Sequence, residues 1–254
     1  MDAVTGRLDV VGLGPGEAAL LTPAAQDALA AAEALYGYGP YLARVPERAG
    51  QTRHASDNRE EMARAAAALD AACAGQRVAM VTGGDPGVFA MAGAVCEAIE
   101  TGPAPWRDVE VVVHPGITAM LALAARAGAP LGHDFCAISL SDNLKPWAVV
   151  EQRLAAAATA GFAIALYNPI SRARPWQLGA AFAVLLRHLP PDVPVVFGHA
   201  VARPEEQVLT VPLGEAAAQP ASMASCILVG TRATRLVARP GRAPLVYTPR
   251  GYSA

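Results

Sequence analysis

Asp85 follows two adjacent glycines in Thr82-Gly83-Gly84-Asp85-Pro86-Gly87, directly after the apolar run 78–81. Paired glycines let a backbone approach a ligand closely and offer it N–H and C=O groups. One fixed carboxylate beside them suits a ligand carrying positive charge better than a polyphosphate. The plainer role for the same aspartate is to cap the next helix. A second junction, Gly12-Leu13-Gly14-Pro15-Gly16-Glu17, closes the first apolar run. A dinucleotide fingerprint needs its third glycine three positions after the second, where this chain has Glu17. Pro15 also removes an N–H that a pyrophosphate would use. Nicotinamide and flavin dinucleotides are therefore not expected. A third junction, His114-Pro115-Gly116-Ile117-Thr118, places a hydroxyl where it can cap a helix or bond a ligand.

Two polar loops, 139–147 and 168–176, follow buried runs further along. They bring Asp142, Asn143, Lys145, Asn168, Arg172 and Arg174 beside Trp147, Tyr167 and Trp176. Taken singly these are ordinary surface groups. Together they suit a large, flat, acidic molecule, because an arginine fork bonds both oxygens of a carboxylate. No Ser/His/Asp or Cys/His arrangement suggests nucleophilic catalysis. The four cysteines, Cys73, Cys96, Cys136 and Cys226, contain no C-x-x-C pair, and the five histidines are scattered. No metal site is expected, and the thiols read as buried and inert.

These residues need a scaffold, and 254 residues with 53% hydrophobic content can bury one large or two ordinary cores. A net charge of −2 offers no general attraction to nucleic acid. No apolar run reaches the ~18 residues of a membrane span. The start MDAVTGRLD lacks an apolar signal core, so the expected location is cytoplasmic. Runs 8–13, 77–82 and 109–113 read as buried parallel strands, since polar alternation is missing. Helices are expected over 23–33, 59–74 and 87–100, with Thr22-Pro23 and the Asp57/Glu60 pair marking two starts and Gly75 and Gly128 two ends. In the second half, strands are expected at 135–140, 162–167, 194–197, 206–213, 226–229 and 245–247, and helices at 146–160 and 175–189. The late joints are too short for a helix each, which implies antiparallel members. The expected architecture is α/β in two domains, 1–115 with a parallel sheet and 116–254 with a mixed sheet.

In their order, G-x-G-P-G, G-G-D-P, P-G-I-T and SMASCILVGTR (222–232) resemble the tetrapyrrole (corrin/porphyrin) methylase family over nearly the whole chain. That resemblance implies S-adenosylmethionine (SAM) as methyl donor, a cleft between two α/β domains, no metal, and a homodimer. SLSDNLKPWAVVEQRL, ALYNPISRARPWQL and VYTPRGY are similar to members that methylate ring carbon 17 of precorrin-3B and contract the ring to precorrin-4, in cobalamin biosynthesis. Another corrin position, the cobalt-containing analogue, or a tetrapyrrole carrier are the alternatives. The absence of a cysteine-rich extension favours the metal-free substrate. Carried over by position, the donor contacts implied are Gly83, Gly84, Asp85, Val88 on the following helix, Thr118, Ala119, Asn168, Gly198, Met223 and Ser225, with Pro15 near the donor methyl. Lys145, Arg172 and Arg174 are expected to anchor the substrate's acid arms, and Asp142 and His199 are the candidate bases for ring contraction. Transient hand-over to neighbouring pathway enzymes is a further expectation.

Overall fold

The computed structural model describes residues 6–57, 59–171 and 174–251. The chain forms two compact units, Met1–Thr118 and Ala119–Ala254. The first runs β1 (Arg7–Gly12), α1 (Pro23–Ala31), β2 (Ala34–Tyr38), the one-turn α2 (Gly39–Leu42), β3 (Thr52–Ser56), α3 (Glu61–Cys73), β4 (Arg77–Thr82), α4 (Met91–Thr101) and β5 (Glu110–His114). Its strands are all parallel, in the order β3-β2-β4-β1-β5. Leu8, Val10, Val78 and Met80 pack against α3 and α4 on one face. Val11, Ala79 and Val81 pack against α1 and α2 on the other. Burial on both faces explains the mostly apolar β1 and β4, and the buried Asp9 of β1 is paired with Arg7 and His114.

This order has a consequence for ligand binding. β1 and β4 are neighbours, yet the chain leaves β1 for α1 on one face and β4 for α4 on the opposite face. Connections that part in this way open a crevice outside the strands' carboxyl ends. The loops carrying Gly14 and Gly84 lie at that point.

The second unit runs α5 (Ala119–Ala127), β6 (Gly128–Ala129), β7 (Phe135–Ser139), α6 (Trp147–Ala160), β8 (Ala163–Tyr167), α7 (Gln177–Leu185), β9 (Pro194–His199), β10 (Gln207–Pro212), the one-turn α8 (Leu213–Ala216), β11 (Ser225–Val229), β12 (Arg235–Arg239) and β13 (Arg242–Tyr247). The main sheet has the order β10-β9-β11-β8-β7. β7 and β8 are parallel, β11 is antiparallel to β8 and β9, and β10 is antiparallel to β9. The carboxyl ends of β7, β8 and β9 and the amino end of β11 therefore share one edge. Phe182, Leu154, Leu166, Val195 and Ile227 form the core between this sheet and α6, α7 and α8. α5 reaches the sheet beside β9, where Gly198 leaves room: a Cβ there would stand 2.5 Å from Leu123 Cδ1. A small second sheet has the order β12-β13-β6.

Several local expectations need correction. α4 begins at Met91, four residues later than the sequence suggests, because Phe89 takes a positive φ of 52° and breaks the helical run. α7 ends at Leu185, short of the expected 189. β3, β6 and β12 were not anticipated. β3 (TRHAS) has no apolar signal and is a strand because β2 supplies its hydrogen-bonding partner. Cys226 is buried, and burial pushes its thiol up to about 12, but Cys96 is exposed. Of the two marked helix starts, one holds. The Thr22 hydroxyl accepts from Ala25 N at 3.2 Å and caps α1 as expected. α3 starts only at Glu61, with Glu60 at its N-cap, so the Asp57 N–H bond to Glu60 Oε2 at 2.9 Å closes the turn before the helix and is not a capping box.

Candidate functional site

The three glycine junctions of the first unit meet backbone to backbone. Leu13 N donates to Thr82 O at 2.9 Å, and Gly14 and Gly84 exchange N–H···O bonds at 3.1 and 2.9 Å. Both glycines lie in the left-handed region, at φ 65° and 66°, which a side chain would resist. A Cβ on Gly116 would stand 2.2 Å from Gly84 O, and one on Gly12 only 2.7 Å from it. Side chains around this contact secure it. Asp85 Oδ1 accepts from Gly87 N at 2.8 Å while its Oδ2 accepts from Gly116 N at 3.0 Å, so one carboxylate both turns its own loop and fastens it to the next. Arg44 Nη2 donates to Leu13 O and Gly14 O at 2.8 and 3.0 Å. Thr22 Oγ1 donates to Pro115 O at 3.4 Å. Gly83 lies against the Tyr41 ring, which a Cβ would approach to 2.8 Å. Pro15 and Thr118 are buried. Val88 belongs to the turn before α4, a correction to its expected place on the helix, and its N–H donates to Asp85 O.

On the shared edge of the second unit's main sheet, Asn168 follows β8 at φ 51° and its Nδ2 donates to Ser139 Oγ at 2.9 Å. The Tyr167 hydroxyl accepts from Met120 N at 2.9 Å, which ties the start of α5, next to Ala119, to the end of β8. After β9, Ala200 and Ala202 take φ of 45° and 61°. Non-glycine residues in this region cost about 1–3 kcal/mol each, and such strain collects where a fixed backbone shape is used. His199 pairs with Ser225 in register, and its Nδ1 lies 3.3 Å from Ser222 Oγ. Met223 is exposed and Ser225 buried.

Asp142 and Arg174 form an ion pair at 2.5 Å. Gln177 Nε2 donates to the same Asp142 oxygen at 3.1 Å, and Arg174 also reaches Ser141 Oγ at 3.3 Å. The Arg174 hydrogen bond holds the Asp142 carboxyl below its ordinary value despite some desolvation. Burial, with Arg153 nearby, lowers Lys145, and Asp142 works against that shift. Trp147 and Trp176 meet edge to face, with centroids 4.8 Å apart. Arg172 lies outside the described residues. Within this unit the structure thus gathers Asn168, Gly198, His199, Met223 and Ser225 at one sheet edge, with Asp142 and Arg174 beyond the end of β7. Arg44 and Tyr41 were missed. Their contacts are with backbone or rings far away in sequence, and no local pattern announces them.

Among the described residues, no group of three or more His, Cys, Asp or Glu side chains could hold a metal ion, and no helix is long and apolar enough to cross a membrane.

A profile of the tetrapyrrole (corrin/porphyrin) methylases matches residues 7–217. The chain is 62% identical over 250 residues to a precorrin-3B C(17)-methyltransferase of Sinorhizobium sp, covering 98% of each. It is 37% identical over 249 residues to a cobalt-factor III methyltransferase of Priestia megaterium, covering 97% of this chain and 45% of that protein. Among solved structures, the methyltransferase CobJ superposes with a TM-score of 0.91 at 50% identity, over 96% of this chain and 100% of the other.

Proposed function

The chain belongs to the tetrapyrrole (corrin/porphyrin) methylase family, and from that premise we propose that it methylates ring carbon 17 of precorrin-3B and contracts the ring to precorrin-4. It is a SAM-dependent methyltransferase of cobalamin biosynthesis. One observation carries the substrate assignment: 62% identity across 98% of both chains with a precorrin-3B C(17)-methyltransferase. The lower 37% identity with a cobalt-factor III enzyme favours the metal-free substrate.

The first unit's loops fit the methyl donor. The carboxyl ends of β1, β4 and β5 present main chain stripped of side chains, around glycines that approach within van der Waals limits. Such an edge offers N–H and C=O groups to the neutral adenosine and amino-acid parts of SAM. Pro15, Pro86 and the Asp85 carboxylate make it a poor cradle for polyphosphate. In this reading Gly83, Gly84 and Thr118 contact the donor directly, and Asp85 shapes the loop that does so. Ala119, Asn168, Gly198, Met223 and Ser225 are assigned to the donor on their positions in the family's motifs.

When bound, SAM supplies a methyl group already activated on a sulfonium. The protein's work is alignment, which can lower a barrier by ~7–11 kcal/mol. Arg172, Arg174 and Lys145 are assigned to the acid arms of the tetrapyrrole. Contraction calls for removal of a hydroxyl proton from the substrate. Asp142 is the poorer base for it, since Arg174 and Gln177 already occupy one of its oxygens and hold it ionised. His199, at the end of β9, is the better candidate. Replacing it with Asn should slow contraction by about 10²–10⁴-fold, while Asp142→Asn should act mainly on tetrapyrrole affinity. Equal loss of contraction in both variants would return Asp142 to the base role. The reading also includes a cytoplasmic homodimer and direct hand-over of product.

The reading as a whole is tested by mass analysis of the pigment after incubation with SAM. A gain of one methyl is expected. Binding of both ligands without transfer would instead make the protein a carrier.

A further inference from the structure

We propose that Glu206 is a positioning residue for the methyl donor: its carboxylate holds the turn after β9 in the strained shape that the donor meets. The inference rests on the methyltransferase reading above. Ala200 and Ala202 are both buried and both left-handed, and neither is a glycine. L-residues leave that region unless their surroundings over-determine it. Glu206 supplies the restraint. Its Oε2 accepts from Ala202 N at 2.6 Å, and its two oxygens accept from Arg126 Nε at 3.0 and 3.1 Å. Glu206 N donates to Arg203 O and Arg203 N to Ala200 O, each at 3.0 Å, which closes the turn.

The restraint extends to the sheet edge. Ala200 N donates to Ala224 O at 3.0 Å, so the turn carries the segment 222–225 with it, including Met223 and Ser225. Ser222 in that segment reaches His199. Arg126 stands in the last turn of α5, whose first turn is fastened by Tyr167. One carboxylate therefore locks turn, strand edge and helix together through charge-assisted bonds, the stronger class of hydrogen bond. Glu206 touches neither reactant in this scheme and acts through backbone.

The test is calorimetric binding of S-adenosylhomocysteine to the full chain, well below the melting temperature, for wild type, Glu206→Ala, Glu206→Gln and Arg126→Gln. Glu206→Ala is expected to weaken binding about tenfold. Glu206→Gln keeps an oxygen for the Ala202 N–H and should lose about threefold, as should Arg126→Gln. Tetrapyrrole affinity should stay unchanged, and KM for SAM should rise more than kcat falls. A folded Glu206→Ala protein with wild-type affinity overturns the proposal. So does a parallel loss of donor and tetrapyrrole affinity that tracks the fall in melting temperature, the mark of a merely structural role. If Glu206→Ala does not fold, the other two variants decide, and wild-type affinity in both overturns it. A wild-type protein that binds tetrapyrrole but no S-adenosylhomocysteine would overturn the methyltransferase reading itself, a different outcome.

Discussion

Asp85, Asp142 and Glu206 are each a carboxylate in a polar loop after a buried strand, and their partners give them three different tasks. Asp85 spends both oxygens on backbone N–H groups, so its removal opens the contact between two loops. Asp85→Ala should cost about 1–3 kcal/mol of stability and weaken S-adenosylhomocysteine binding at the same time. A stability loss with unchanged binding would reduce the residue to a loop staple. Asp142 is drawn into an ion pair with Arg174, a state that suits orienting that arginine better than removing a proton. Glu206 carries a pH dependence. Burial pushes its carboxyl up, but the Ala202 N–H and Arg126 outweigh that and leave it below its ordinary 4.5. A depressed carboxylate stabilises fully above its unfolded pKa, and the contribution is lost as pH falls through the lower folded value. The difference in melting temperature between wild type and Glu206→Gln should therefore be constant near neutral pH and shrink on acidification through that range. A difference that grows in acid would contradict the assigned direction.

The loops at the ends of β1, β4 and β5 behave as one element because their glycines bring main chains into contact. Gly116→Ala places a methyl 2.2 Å from Gly84 O, backbone that cannot step aside as a side chain could. A loss of about 1–3 kcal/mol is expected from such overpacking, with weaker donor binding, readable by thermal denaturation and calorimetry. In the second unit, Tyr167→Phe removes the hydroxyl that accepts from Met120 N and should cost about 0.5–1.5 kcal/mol. The glycine loops and the strands feeding them were legible in sequence because apolar runs ending in Gly-Pro punctuation carry their own signal. The mixed second sheet was legible from joints too short for helices. What stayed hidden depends on distant partners: β3, a polar strand defined by β2; the Arg44 clamp; and the Phe89 backbone, whose positive φ delays α4. Glu206 stands four residues beyond Ala202, and nothing in the intervening sequence says that the two bond.

Across the molecule, two α/β units each collect their candidate residues at one sheet edge, where connections diverge in the first and strain accumulates in the second. A ligand that binds the native chain stabilises it by mass action, by about 2.7 kcal/mol at a hundredfold excess over Kd. S-adenosylhomocysteine should raise the melting temperature accordingly. Absence of any shift at saturating concentration would argue against donor binding. Sedimentation velocity should find a dimer. The most direct measurement of function is to incubate the protein with precorrin-3B and methyl-labelled SAM and locate the label in the pigment by NMR. Label on ring carbon 17 of a contracted macrocycle is the expected result. Label on any other carbon, or none despite bound donor and substrate, would contradict the assignment.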